Sequence, residues 1–231
     1  MIRAGLLKRF ESSVEAFRIS IGRMITAHEA FIYSMDQGYI PLGKEVQRII
    51  LGSDEDWNFD SDFFDELKSI EDKDKYPIDE FDSDKLREDI LLDKQTLEDI
   101  RQFMSNLGPD KDTKLHALRK ILTEKYPDDK VLIFSEFKDT ARYLKSNLKD
   151  LPNLEQADSE TKGLLSIVNN FSPNSNDFDC KGEQIRVLIS TDVFSEGLNL
   201  QDCSIIINYD LHWNPVRLIQ RVGRVDRIGS L

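Results

Sequence analysis

Three short apolar runs constrain this chain more than any other feature. They are Val131-Leu132-Ile133-Phe134, Ile185-Arg186-Val187-Leu188-Ile189 and Ser204-Ile205-Ile206-Ile207-Asn208-Tyr209. Apolar side chains at consecutive positions put both faces of a strand out of water, which requires a parallel sheet covered on both sides by helices. Helical patterns near 113–124, 140–149 and 161–171 lie before and between these runs. Strands alternating with helices predict an α/β fold with a doubly wound parallel sheet. In such a sheet ligands bind beyond the carboxyl ends of the strands. Three loops leave those ends: Ser135-Glu136-Phe137-Lys138-Asp139-Thr140, the polar stretch from Ser190 to Asn199, and Asp210-Leu211-His212-Trp213-Asn214-Pro215.

The last of these loops leads into an arginine-rich segment. Asn214 is placed to cap a helix and Pro215 to occupy its first position. In Gln220-Arg221-Val222-Gly223-Arg224-Val225-Asp226-Arg227-Ile228-Gly229, a helical rotation of about 100° per residue brings Gln220, Arg224 and Arg227 onto one face. Leu218, Val222 and Val225 fall opposite. The expectation is a helix that packs its apolar side on the sheet and presents fixed guanidinium forks to phosphate oxygens.

Upstream, Leu7, Phe10, Val14, Phe17, Ile21, Met24, His28 and Phe31 recur at steps of three and four and predict a long amphipathic helix with a narrow seam. On that seam His28 reads as a packed histidine. The formal charge of −12 is concentrated: residues 51–110 carry 7 basic and 20 acidic side chains, against net +2 before and −1 after. An acidic loop, expected to be mobile over 52–78, precedes a helix near 83–107. The domains expected are thus a helical brace over 1–50, an acidic, mainly helical insertion over 51–110, and the α/β domain over 111–231. Gly38-Tyr39-Ile40-Pro41-Leu42-Gly43-Lys44 has the spacing of a phosphate-binding loop. Glu45 follows where Ser or Thr would hold Mg²⁺, and no apolar strand precedes it, so no nucleotide site is expected there. No apolar run approaches the roughly 18 residues that a membrane span needs. The opening residues carry charges inside their apolar part and do not read as a signal peptide. Cys180 and Cys203 have no metal spacing, so no metal site is expected, and the expected compartment is the reducing cytoplasm.

Here the motifs become specific. Thr191-Asp192 through Gly197-Leu198-Asn199, then Trp213-Asn214-Pro215, then Gln220 to Gly229, resemble motifs V and VI of superfamily 2 helicases; Val131 to Ser135 resembles motif IV. Trp-Asn-Pro and Arg-Ile-Gly are similar to the SWI/SNF-type branch, above all its bacterial RapA-like members. Leu7-Lys8-Arg9-Phe10-Glu11-Ser12-Ser13 resembles the start of their second motor lobe. The resemblance implies a RecA-like C-terminal lobe of an ATP-dependent translocase on nucleic acid, with double-stranded DNA the favoured substrate. It implies Arg224 and Arg227 as arginine fingers toward the ATP γ-phosphate, with Gln220 coupling nucleotide to the cleft. Glu196, Gly197 and Asn199 would lie near the nucleotide, and Thr191, Ser135 and Lys138 on the nucleic-acid backbone. Arg221 is left between a surface and a lobe–lobe salt bridge, and Trp213 reads as a packing anchor.

ATP and Mg²⁺ would be held mainly by a first RecA-like lobe, since no Asp-Glu-x-His box is present in these 231 residues. The chain therefore reads as an excised second lobe, inactive alone. RNA polymerase or another protein, met through the helical and acidic region, is a further partner the resemblance raises, and in a bacterium the protein would be nucleoid-associated. Thr161-Lys162 and Ser230 depart from the family pattern, which leaves contacts from the Thr161 region open. The rival reading is a non-catalytic module that binds nucleic acid or polymerase, built on a degenerate motor lobe.

Overall fold

The computed structural model describes residues 2–43, 46, 70, 72–192, 199–211, 214–223 and 225. Two helices open the chain, α1 (Ile2–Ser12) and α2 (Val14–Asp36), where one was expected. The break is at Ser13, whose hydroxyl accepts a hydrogen bond from the Ala16 amide at 3.0 Å and so caps α2. The buried stripe also differs in phase from the expected seam. Ala16, Ser20, Ile21, Ala27, Ala30 and Ser34 are buried, whereas Leu7 and Phe10 are exposed. His28 is half-buried, with Nδ1 2.7 Å from the Met24 carbonyl oxygen of its own helix.

Beyond α2, β1 (Tyr39–Pro41) pairs antiparallel with β2 (Lys75–Pro77), and α3 (Ser83–Met104) follows. The misleading glycine-lysine spacing thus starts in a short strand; its Lys44 and Glu45 lie outside the described residues, as do Trp57, Phe59, Phe63 and Phe64 of the acidic loop. Residues 18–106 form one compact unit, with Ile21, Ile25, Ile40, Leu97 and Met104 in its interior. Within it Lys94 bridges Glu29 at 2.9 Å and Arg87 bridges Asp36 at 2.6 Å.

The other unit combines residues 1–17 with 107–231. In chain order it adds α4 (Thr113–Lys120), prolonged by a π-type turn over Ile121–Lys125, β3 (Val131–Phe134), α5 (Lys138–Asn147), β4 (Leu154–Ala157), α6 (Leu164–Phe171), β5 (Val187–Ser190), β6 (Ile205–Asn208) and α7 (Pro215–Val222). The four described strands are parallel, in the order β4-β5-β3-β6. Alternation along β3 explains why the sheet must be covered twice. Val131 and Ile133 pack with Leu115, Leu118 and Leu144 from α4 and α5, while Leu132 and Phe134 pack with Val168 and Phe171 from α6. Each large side chain buried this way contributes about 1.5–3 kcal/mol. This is the doubly wound α/β fold that the apolar runs require.

Two local features differ from expectation. Strand β4 carries Glu155 and Gln156 at its centre, with Glu155 exposed, so its sequence gives no apolar signal. Leu154 packs into the core on one face and the small Ala157 on the other, so one large apolar side chain suffices here. The next helix starts at Leu164, not Thr161. The Thr161 hydroxyl is engaged by the Asp158 amide at 2.8 Å, and Gly163 supplies a left-handed turn at φ 76° before the helix begins.

A second turn is held by Asp202. Its carboxylate accepts from the Asn174 and Ser175 amides, both at 2.8 Å, and from the Ser175 hydroxyl. Burial pushes its carboxyl up, but these hydrogen bonds outweigh that and hold it below the ordinary carboxylate range. A depressed folded value gives stability that is present above the unfolded value of about 4 and is lost as pH falls through the folded one. Asp202→Asn is therefore expected to cost roughly 1–2 kcal/mol at pH 7. Its melting temperature should converge on that of the parent as pH drops below 4; melting curves from pH 7 to 3 check this, and a constant gap would contradict it.

Candidate functional site

Parallel strands end their carboxyl sides together, so the residues following each strand share one edge. The last row across that edge is Ala157, Ser190, Phe134 and Asn208. Just beyond it the chain places a carboxylate after every strand: Asp139, Asp158, Asp192 and Asp210. Three of the four take an arginine. Arg9 of α1 reaches Asp139 at 3.0 Å with both groups buried, and its guanidinium lies 4.8 Å from the Phe137 ring centre. Arg142 donates from Nε to Asp158 at 2.9 Å. Asp158 is pushed up by burial, yet Gln156, the Glu160 amide and Arg142 together hold its carboxyl low.

The third pair fixes α7. Arg221 is 3% exposed and donates to Asp192 from Nε at 2.7 Å and from Nη2 at 3.0 Å. Its Nη1 reaches the Asn208 side-chain oxygen at 2.9 Å, and its guanidinium stacks 4.9 Å from the Phe134 ring centre. A forked, delocalised cation suits this arrangement because its plane and its donors are used together. Arg217 adds a weaker contact to Asp192 at 3.4 Å. Asn214 caps α7 as expected, accepting from the Val216 amide at 3.0 Å, with Pro215 next.

The orientation of α7 corrects the helical reading of its sequence. The helix ends at Val222, and Gly223 closes it with its amide on the Ile219 carbonyl. Val225 lies in the following turn and packs on the Leu132–Phe134 side of the sheet. The expected face of Gln220, Arg224 and Arg227 falls mostly outside the described residues, only Gln220 being among them. Val222 was expected on the packed side but is 46% exposed, and Ile219 is 70% exposed. The reason is Arg221: its two hydrogen bonds to the Asp192 carboxylate outweigh the burial of one valine, so the charged position turns inward. Gln220 is exposed on the outer side. Arg224 and Arg227 lie outside the described residues, as do Glu196, Gly197 and Trp213.

The remaining expected residues are brought to the same edge but point in different directions. Thr191 is half-buried, with its amide on the Ala157 carbonyl. Ser135 is fully buried and donates to Asp210 at 2.8 Å, so its hydroxyl serves the protein interior. Lys138 is 6% exposed and pairs with Glu160, which also takes Arg142. Asn199 donates to the Ser175 carbonyl at 2.8 Å, and its oxygen receives the Gln201 amide at 3.3 Å, so its side chain is held in a turn. Among the described residues no cluster of His, Cys, Asp and Glu could hold a metal ion. The residues the sequence did not single out are Asn208, Asp210 and Asp139. Their signal was positional, each lying at or just beyond the end of an apolar run.

Three comparisons bear on this edge. Residues 113–229 match the family described as the helicase conserved C-terminal domain. An uncharacterized ATP-dependent helicase of Bacillus subtilis, YqhH, is 39% identical over 118 residues, covering 49% of this chain and 19% of that protein. The ATP-dependent RNA helicase eIF4A of Debaryomyces hansenii is 32% identical over 151 residues, covering 61% of this chain and 33% of that protein. The chain therefore spans a fifth to a third of these relatives. Among solved structures, the C-terminal part of the Fun30 ATPase domain covers 80% of this chain and is covered over 55% of its own length, at 20% identity and a TM-score of 0.40.

Proposed function

Starting from a chain that belongs to the helicase conserved C-terminal domain family, we propose that it is the second motor lobe of an ATP-dependent translocase on double-stranded DNA, of the SWI/SNF-type branch. One observation carries this reading. The Arg221–Asp192–Asn208 cluster locks α7 onto the carboxyl edge of the sheet. Gln220, Arg224 and Arg227 would there face a nucleotide held chiefly by a first lobe. ATP and Mg²⁺ would supply the phosphoryl chemistry. The residues of this chain would add fixed positive charge where negative charge develops, a role suited to a site closed from water. Thr191 is the nucleic-acid contact that the geometry leaves nearest the surface, while Ser135 and Lys138 would support the edge from within.

The direct test is ATP turnover by the two-lobed protein with and without nucleic acid. Duplex DNA is expected to stimulate turnover more than RNA, and stimulation is expected to weaken steeply with salt because phosphate contacts release counterions. A larger response to RNA would reassign the substrate and with it the SWI/SNF-type branch. The alternative is a non-catalytic module that binds nucleic acid or polymerase, and absence of any turnover in the two-lobed protein would select it.

A further inference from the structure

Asp210 is the one carboxylate of the edge that takes hydroxyls and an amide where the others take arginines. Its Oδ2 accepts from the Ser12 hydroxyl at 2.6 Å and from the Ser135 hydroxyl at 2.8 Å, and its Oδ1 accepts from the Glu136 amide at 2.5 Å. Ser12 and Ser135 are both fully buried. Around them Thr140 joins Ser12 and Ser13, each at 2.8 Å, and Lys114 donates to the Glu11 and Ser12 carbonyls at 2.8 and 3.0 Å. Burial lowers the Lys114 ammonium below its usual value, and it lies 4.0 Å from the Tyr209 ring centre. The end of α1, the starts of α4 and α5 and the ends of β3 and β6 therefore meet at one carboxylate.

What Asp210 holds is the exit from β6. Asn208, two residues earlier, binds Arg221 inside α7, and Asn214, four residues later, caps the start of α7. The end of β6 thus anchors α7 through Asn208 and the loop that enters α7 through Asp210. Loosening such an anchor matters for any catalytic group carried beyond α7, because a displacement of about 1 Å can cost on the order of 10²-fold in rate.

We infer that Asp210, held by Ser12 and Ser135, is a positioning residue that, through the anchoring of α7, sets the approach of the arginines carried beyond that helix to their phosphate and ties that approach to α1. This rests on the finger assignment made above. The experiment compares Asp210→Ala, Asp210→Asn, Ser12→Ala, Arg227→Ala and the Asp210→Ala/Arg227→Ala pair in the two-lobed protein, reading kcat, the KM for ATP and the melting temperature. Asp210→Ala is expected to lower kcat about tenfold to a hundredfold with KM for ATP within about twofold. Asn keeps an acceptor for the Glu136 amide, and the two serines can turn to accept from its amide, so Asp210→Asn should recover much of the loss. Ser12→Ala should show a smaller loss of the same kind. Asp210→Ala should slow the Arg227→Ala protein by less than it slows the parent, because only Arg224 is then left to position.

Unchanged kcat in Asp210→Ala overturns the inference. So does a loss that merely follows the folded fraction, or a double variant in which the two losses simply multiply. Should Arg227→Ala itself retain turnover, the finger assignment fails, whatever the Asp210 variants do. If Asp210→Ala does not fold, Asp210→Asn and Ser12→Ala decide by the same kcat and additivity criteria.

Discussion

Arg227→Ala in the two-lobed protein is expected to reduce ATP turnover by about 10³-fold or more, the range in which a guanidinium finger operates. Binding of ATP should change little, because such a group acts on charge that develops only in the transition state. Arg224→Ala should give a loss of the same order, and Arg227→Lys should not restore rate, since an ammonium cannot reproduce the planar fork. Single-turnover hydrolysis and equilibrium nucleotide binding, measured on the same preparations, separate the two effects. Turnover within threefold of the parent would remove the finger assignment. Equal losses in affinity and rate would instead make Arg227 a ground-state binding group. The expectation depends on how firmly α7 is held, since a finger on a loose support is a mobile cation. Here the support is a two-donor ion pair stacked on Phe134.

How much of this was legible in advance depended on whether a residue's environment was local or distant. Strands β3, β5 and β6 were readable because burial on both faces leaves an apolar signature in consecutive residues. Strand β4 was not, because Leu154-Glu155-Gln156-Ala157 satisfies an edge position with a single large apolar side chain. The cap of α7 was readable, being a matter of Asn214 and Pro215 alone. Its facing was not. Amphipathic reasoning turns charge outward and valine inward, and Asp192, 29 positions away in sequence, reverses both at Arg221 and Val222. Ser135 and Asn199 fall under the same heading. A hydroxyl at a strand end or an amide in a loop can serve a ligand or the interior, and their distant partners, Asp210 and Ser175, are not legible from the local sequence.

That reversal has a measurable cost. Asp192→Ala leaves Arg221 buried among Phe134 and Asn208 with no carboxylate. Breaking a buried ion pair from one side costs about 3–5 kcal/mol, and because Asp192 retains a quarter of its exposure the expected loss is roughly 2–4 kcal/mol. For a chain of this size that is roughly 4–16 °C in melting temperature. Arg221→Met should cost less than Asp192→Ala, although it deletes the larger side chain. It removes the buried charge instead of stranding it, and the Asp192 carboxylate it leaves behind keeps both water and Arg217. Asp192→Asn should fall between them, since its oxygen can still accept from Nε while the charge is lost. Thermal melting of the three variants ranks them. If Arg221→Met proves the more damaging change, the guanidinium acts through its stacking on Phe134 and its bond to Asn208, and the ion pair is not what fixes the helix to the sheet edge.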